Sequence, residues 1–173
     1  MGKKIITCDL SPQGIDGAIR ELIRYKQEIL MKSDLLRYKV AEFISKEAQS
    51  GFNGAVLDDL LKGSVRYANV DVTVNNRGST TLVVANGEDA IWVEFGAGVY
   101  HNTSAGSSPH PKGSELGFVI GGYGKGLGRK EVWGFYEDGE LKLTHGTPAI
   151  MPMYEAMNKA CREISLIAKE VFR

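Results

Sequence analysis

The hydrophobic period changes twice along this chain, and that alternation most restricts what it can fold into. Up to about Gln49 the apolar residues recur at helical spacing: Ile15, Ala18, Ile19, Leu22 and Ile29, then Leu36, Val40, Phe43, Ile44 and Ala48. From Val70 to Val84 the period is two. Val70, Val72 and Val74 alternate with polar residues, and Thr80, Leu82 and Val84 repeat the pattern after Asn75-Asn76-Arg77-Gly78. From Met153 the helical period returns as Met153, Met157, Ala160, Ile164, Ile167 and Val171. Helix, then strands, then helix predicts an α+β protein: a mostly antiparallel sheet packed by an N-terminal helical region and a C-terminal helix.

Local signals place the ends. Ser11-Pro12 reads as an N-cap followed by a first-turn proline, Ser33-Asp34 offers a second cap, and Gly51, Asn53 and Gly54 close the helical region. The spacing leaves open one kinked helix or two. Lys3–Leu10 reads as a short strand, Ala90–Phe95 as a short helix with acids at its start, and Val132–Tyr136 with Glu140–Thr144 as a second hairpin. Pro152 suits the first turn of the last helix, whose stripe reads as core beneath the sheet or as a seam against another chain.

The 173 residues suit a single domain, 1–173. Twenty-one basic and 21 acidic residues cancel, and they are spread evenly, so no basic excess marks a dedicated nucleic-acid binder. No apolar run approaches the length of a membrane span, and neither a signal peptide nor a myristoylation site is expected from the first residues. Cys8 and Cys161 lack any paired spacing and read as buried, reduced thiols of a cytosolic product.

Ten of the 21 glycines fall between Gly96 and Gly128, in a long loop, 97–129, with little regular pattern. The run Gly121-Gly122-Tyr123-Gly124-Lys125-Gly126-Leu127-Gly128 fails as a phosphate loop by register. Val119 stands where the first Walker glycine belongs, and Gly126 follows the lysine. Dinucleotide fingerprints starting at Gly122 or Gly124 end on Leu127 or Arg129. His101, His110 and His145 lack metal-ligand spacing, and no nucleophile elbow is present. No catalytic, cofactor or metal residue is therefore assigned, and an enzyme is not expected. Glu94, set among Ile91, Trp92, Val93 and Phe95, reads as a structural carboxylate for backbone N–H groups or a neighbour's cation, or else as an exposed helix charge.

Two segments carry a resemblance. Val93-Glu94-Phe95-Gly96-Ala97-Gly98 resembles the V-E-F-G-T-G signature of the tail-completion, or head–tail joining (minor tail), proteins of long-tailed bacteriophages. His145-Gly146-Thr147-Pro148-Ala149-Ile150-Met151-Pro152-Met153-Tyr154-Glu155-Ala156 is similar to the later segment that opens the family's final helix. The order of elements from about 12 to 172 also matches. Ala97 departs from the usual Thr, a proline after His145 is missing, and Met153 replaces the common Phe.

The resemblance implies a structural virion protein of the neck or upper tail, assembled in the host cytoplasm. It implies a homo-oligomeric ring, a hexamer on a six-fold tail tube, that meets a head-completion protein, tail terminator or tail tube. DNA would pass through without sequence-specific binding, and no membrane is involved. The expected interface residues are Glu94, Phe95, Gly96, Gly98, Tyr100, His101, Phe118, Tyr123, Lys125, Arg129, His145, Gly146, Pro148 and Pro152. Positive φ is available at Gly96 and Gly98, and Pro148 and Pro152 stiffen entry to the last helix. Loop 97–129 is the expected docking element. A small metal-dependent hydrolase or nuclease using His101, His110, His145 and Glu94, and a non-viral adaptor binding through the C-terminal stripe, are the alternatives.

Overall fold

One 42-residue helix, α1 (Pro12–Asn53), dominates the computed structural model, which describes residues 5–98, 100–101, 104–105, 108–119 and 132–173. Ser11 caps α1 by accepting from the Gly14 N–H at 3.0 Å, and Asp9 accepts from the Ser11 N–H at 2.8 Å. The helix runs through Ser33-Asp34 because neither residue breaks the backbone; each costs only a few tenths of a kcal/mol in a helix, roughly 0.5. Asp34 instead pairs with Arg37 at 3.2 Å, one turn on. Residues 5–10 form no strand, contrary to expectation: their exposed backbone leads into the cap.

After Gly54 come two antiparallel strands, β1 (Val56–Asp59) and β2 (Ser64–Tyr67), and then the expected hairpin, β3 (Asp71–Arg77) with β4 (Thr80–Asn86). The hairpin turns two residues later than its Asn-rich stretch suggests. Asn75, Asn76 and Arg77 stay in the ladder, and Gly78-Ser79 make the two-residue turn, with Gly78 at φ 58°. The short helix α2 (Ala90–Phe95) follows, then β5 (Ala97–Gly98), β6 (Tyr100–His101) and β7 (Ser104–Ala105). The second hairpin is β8 (Trp133–Glu137) with β9 (Glu140–Thr144), followed by β10 (Gly146–Thr147) and α3 (Pro152–Val171). The fold is α+β. Every described strand pair is antiparallel, distributed over five two-stranded ladders.

The core lies where four of these elements meet. Ala48 and Phe52 of α1, Ala55 just after it, Val70 at the entry to the hairpin, Val72 of β3, Val93 of α2 and Ala156 of α3 form one buried cluster. Alanine at the contacts lets backbones close up: α3 packs antiparallel on α1, and a Cβ on Gly51 would sit 2.9 Å from the Pro152 Cβ. Lys159 pairs with Glu47, and Lys39 with Glu170 at 3.6 Å, further along the same seam. The last helix therefore packs on α1 rather than beneath a sheet. Pro152, Ala156, Ala160 and Val171 face inward, whereas Met157 and Ile164 of the expected stripe are exposed.

The first hairpin lies along another side of α1. Gln49 accepts from the Val72 N–H and donates to the Val70 carbonyl, both at 2.8 Å. Ser45 donates to the Val72 carbonyl at 3.0 Å, and the Arg37 guanidinium reaches the turn at the Gly78 and Ser79 carbonyls and Thr81 Oγ1. Toward its N-terminus α1 runs on past this turn and past the end of α3. None of its residues before Ala41 is buried.

Candidate functional site

The site is built at the base of the long loop, where α2 meets the start of α3. Met151 precedes α3 in the left-handed conformation (φ 58°) and supplies no side-chain cap. Pro152 has no N–H, so the open donors of the first turn are those of Met153 and Tyr154. Glu94 takes both: its Oε2 accepts from the Met153 N–H at 2.8 Å and its Oε1 from the Tyr154 N–H at 3.0 Å. The residue is 7% exposed. Burying a carboxylate costs several kcal/mol, on the order of 3–5 when a partner is lost. Two charge-assisted hydrogen bonds at a positive helix end offset that cost. Of the readings open to Glu94, the structural carboxylate is realised and the exposed charge is not.

A second partner approaches from the loop. His110 Nδ1 accepts from the Lys112 N–H at 3.0 Å, which leaves the ring hydrogen on Nε2, 3.4 Å from Glu94 Oε1. The His110 ring stands edge-on to Phe95 (4.4 Å between centroids) and Tyr154 (5.3 Å), and Phe95 stacks on Phe118 at 4.6 Å. Ser108 donates to the Phe95 carbonyl, and Gly96, at φ 80°, turns the chain out of α2. The segment from 108 to 118 is thus anchored on the base, and the described residues among 97–119 are less irregular than expected, holding β5, β6, β7 and the turns over 111–117.

The remaining expected residues divide. Gly98 pairs with Gly146, and Ala97 with Thr147, in the β5–β10 ladder; Ile150 N–H donates to the Val93 carbonyl at 2.9 Å. Pro152 is buried as the first residue of α3, and Pro148 is exposed before it. His145 lies elsewhere: its Nδ1 is 2.8 Å from Asp58 Oδ2, and Asp58 also accepts from Thr144 Oγ1. Burial pushes the Asp58 carboxyl up, but these bonds from Thr144 and His145 outweigh it and hold the group below its ordinary value. Tyr100 and His101 form β6, with side chains outside those described; Tyr123, Lys125 and Arg129 lie outside the described residues.

Sequence reasoning missed a concavity of about 610 Å³ away from the Glu94 base, lined among others by Leu57, Trp92 and Phe135, with Asp59, Arg66, Asp89 and Lys142. Asp89 is buried, and Arg66 grips it with two bonds of 2.6 and 2.8 Å while the Asn69 N–H adds a third at 2.8 Å. Burial raises the Asp89 carboxyl, yet Arg66 and Asn69 hold it below its usual value. Lys142 stands 3.6 Å from both Asp59 and Glu140. The signal available in sequence was only an acid at the start of α2, read as a dipole contact rather than an arginine partner.

Both oxygens of Glu94 accept from backbone donors, so the carboxylate ties α2 to the start of α3. Among the described residues no group of three or more His, Cys, Asp or Glu is placed to hold a metal ion. Cys8 and Cys161 are both exposed, a correction to their expected burial: Cys8 precedes the α1 cap and Cys161 sits on the outer side of α3. No helix among the described residues is long and apolar enough to cross a membrane. No family profile, curated protein or solved structure matches this chain.

Proposed function

We propose that this chain is a structural subunit of a bacteriophage neck or upper tail, forming a ring, six-fold on a six-fold tail tube, that completes the tail and joins it to the head. One observation supports the reading most. The two segments that carry the resemblance, 93–98 and 145–156, are each other's partners: Glu94 caps Met153 and Tyr154, the Val93 carbonyl accepts from Ile150, and Ala97-Gly98 pairs with Gly146-Thr147. A motif pair that closes one structural unit has a physical reason to occur together. The loop beyond it, fastened through Ser108, His110 and Phe118, is the docking element toward neighbouring subunits and tail proteins. The balanced charge suits a channel through which DNA slides without being held.

A phage whose copy of this gene carries an early stop codon tests the role. DNA-filled heads and tails that fail to join, rescued by the intact gene in trans, are the expected result; infectious particles formed without the protein overturn it. Deletion of 101–128 should abolish that rescue, and a deletion that still restores infectivity removes the loop from the docking role.

A further inference from the structure

The N-terminal half of α1 presents an apolar face that nothing in the virion reading uses. Ile15, Ile19, Leu22, Ile23 and Leu30 are all exposed, Leu22 at 54% and Leu30 at 55%. At 100° per residue they fall within an arc of about 100° on one side of the helix, an arc that also carries Lys26. That arc continues, on the same side, the face that further along α1 carries the buried Ala41 and Ala48. A second apolar stripe lies on the outer side of α3, where Met157 (52%), Cys161 and Ile164 (45%) are exposed at helical spacing and lead to Ala168.

We propose that the arm of one copy, residues 12–36, packs antiparallel on the outer stripe of α3 in the next copy. This deepens the ring reading and rests on it for its closed symmetry. Three observations select a second copy as the occupant. The first is register. The antiparallel alignment that sets Ile23 against Ile164 also sets Leu30 against Met157 and Ile19 against Ala168, and it brings Asp16 to the Lys169 end of the stripe. The second is charge. The arm holds Asp16, Glu21, Glu28 and Asp34 against Arg20, Arg24, Lys26 and Lys32, a balance that fits another neutral helix and lacks the basic polar face of a membrane-surface helix.

The third is size. Residues 12–36 reach about 37 Å at ~1.5 Å per residue, close to the length of α3, and one such helix face covers on the order of 600 Å² per side. That gives about 1,200 Å² in total, where specific interfaces begin. Giving an arm to one neighbour and receiving one from the other is a heterologous contact, the kind that closes rings.

The full chain is used for the test. In a Cys8→Ser background, Lys26→Cys faces native Cys161 of the next copy. Within one chain the two positions are too far apart, because Cys161 lies on α3, whose Lys159 sits beside Glu47 of α1, some 20 residues or about 30 Å along α1 from position 26. Mild oxidation should give a ladder of covalent multimers that Cys161→Ser abolishes. Dimers that persist in the Cys161→Ser protein would show arm-to-arm pairing and overturn the assignment; absence of any cross-link overturns it too.

Separately, Ile19→Asp with Ile23→Asp should convert a light-scattering oligomer into monomers with unchanged helical circular dichroism. A variant that keeps the wild-type mass, or one whose helicity is lost together with its mass, counts against the arm contact. Rings that persist in that variant, with infectivity intact, leave the virion role standing while removing the arm. A wild type that is monomeric at its highest soluble concentration removes the arm contact, while the virion role stands or falls by the stop-codon phage.

Discussion

The two halves of α1 have the same hydrophobic period and opposite surroundings. From Arg37 onward the helix is gripped on two sides, by the first hairpin through Arg37, Ser45 and Gln49 and by α3 along the line from Lys39 to Gly51. From Pro12 to Leu36 the same kind of apolar arc has no buried member. The reason is length. At ~1.5 Å per residue α1 reaches about 63 Å, and α3 about 30 Å, so the intrachain partner covers only half of the helix. Equal periodicity therefore marks a face that needs a partner without saying whether the partner is in the same chain.

Substitutions on the two sides should separate them sharply. Phe52→Ala, in the fully buried core of the gripped half, should cost about 3–5 kcal/mol and lower the urea midpoint accordingly. If it costs less than ~1 kcal/mol, Phe52 is not the centre of the packed half. Glu94→Gln comes next at about 2–3 kcal/mol, since the amide keeps one acceptor oxygen and turns an N–H donor against a backbone N–H. Limited proteolysis of this variant should also show faster cleavage within 108–118, because the loop meets Glu94 through His110; unchanged cleavage there would detach the loop from Glu94.

Asp89→Asn should cost about 1–2 kcal/mol by breaking the paired contact with Arg66. Its pH dependence has a fixed sign. Because the folded-state value of Asp89 is depressed, its contribution is complete above the unfolded carboxyl range near ~3.9 and is lost as pH falls through that value toward the folded one. The stability gap between wild type and variant should thus stay constant from neutrality down to about pH 5 and shrink below about pH 4. A gap that shrinks already near neutrality would assign the effect to another group. Smallest of all, Leu22→Ser on the arm should change unfolding of the dilute, monomeric chain by less than about 0.5 kcal/mol. A loss above ~1 kcal/mol would mean that the arm is packed within its own chain.

Much of the local structure was legible in the residues. Ser11-Pro12 started α1, Gly54 ended it, and Asp138-Gly139 turned the second hairpin where expected. Misreadings came from signals that compete. Asn75 and Asn76 favour a turn, but opposite Thr81 and Leu82 they extend the ladder, and Gly78 takes the positive φ. Ser33-Asp34 resembles a cap, yet with Arg37 at hand Asp34 is satisfied inside the helix. Of the candidate site, Glu94 was found from its apolar neighbours, whereas the role of His110 was not, since no local spacing links residues that meet only through the loop.

By itself the sequence determined where period, caps and turns divide this chain into helices and hairpins, because those depend on neighbours within a few residues. It also determined that Glu94 sits among apolar side chains. Tertiary structure alone decided that Glu94 caps a helix beginning almost sixty positions later, that Arg66 rather than a helix dipole holds Asp89, and that α3 lies on α1. Each of these joins groups far apart in sequence, and the choice among such partners is made by which backbones can approach closely enough to bury their donors and acceptors together.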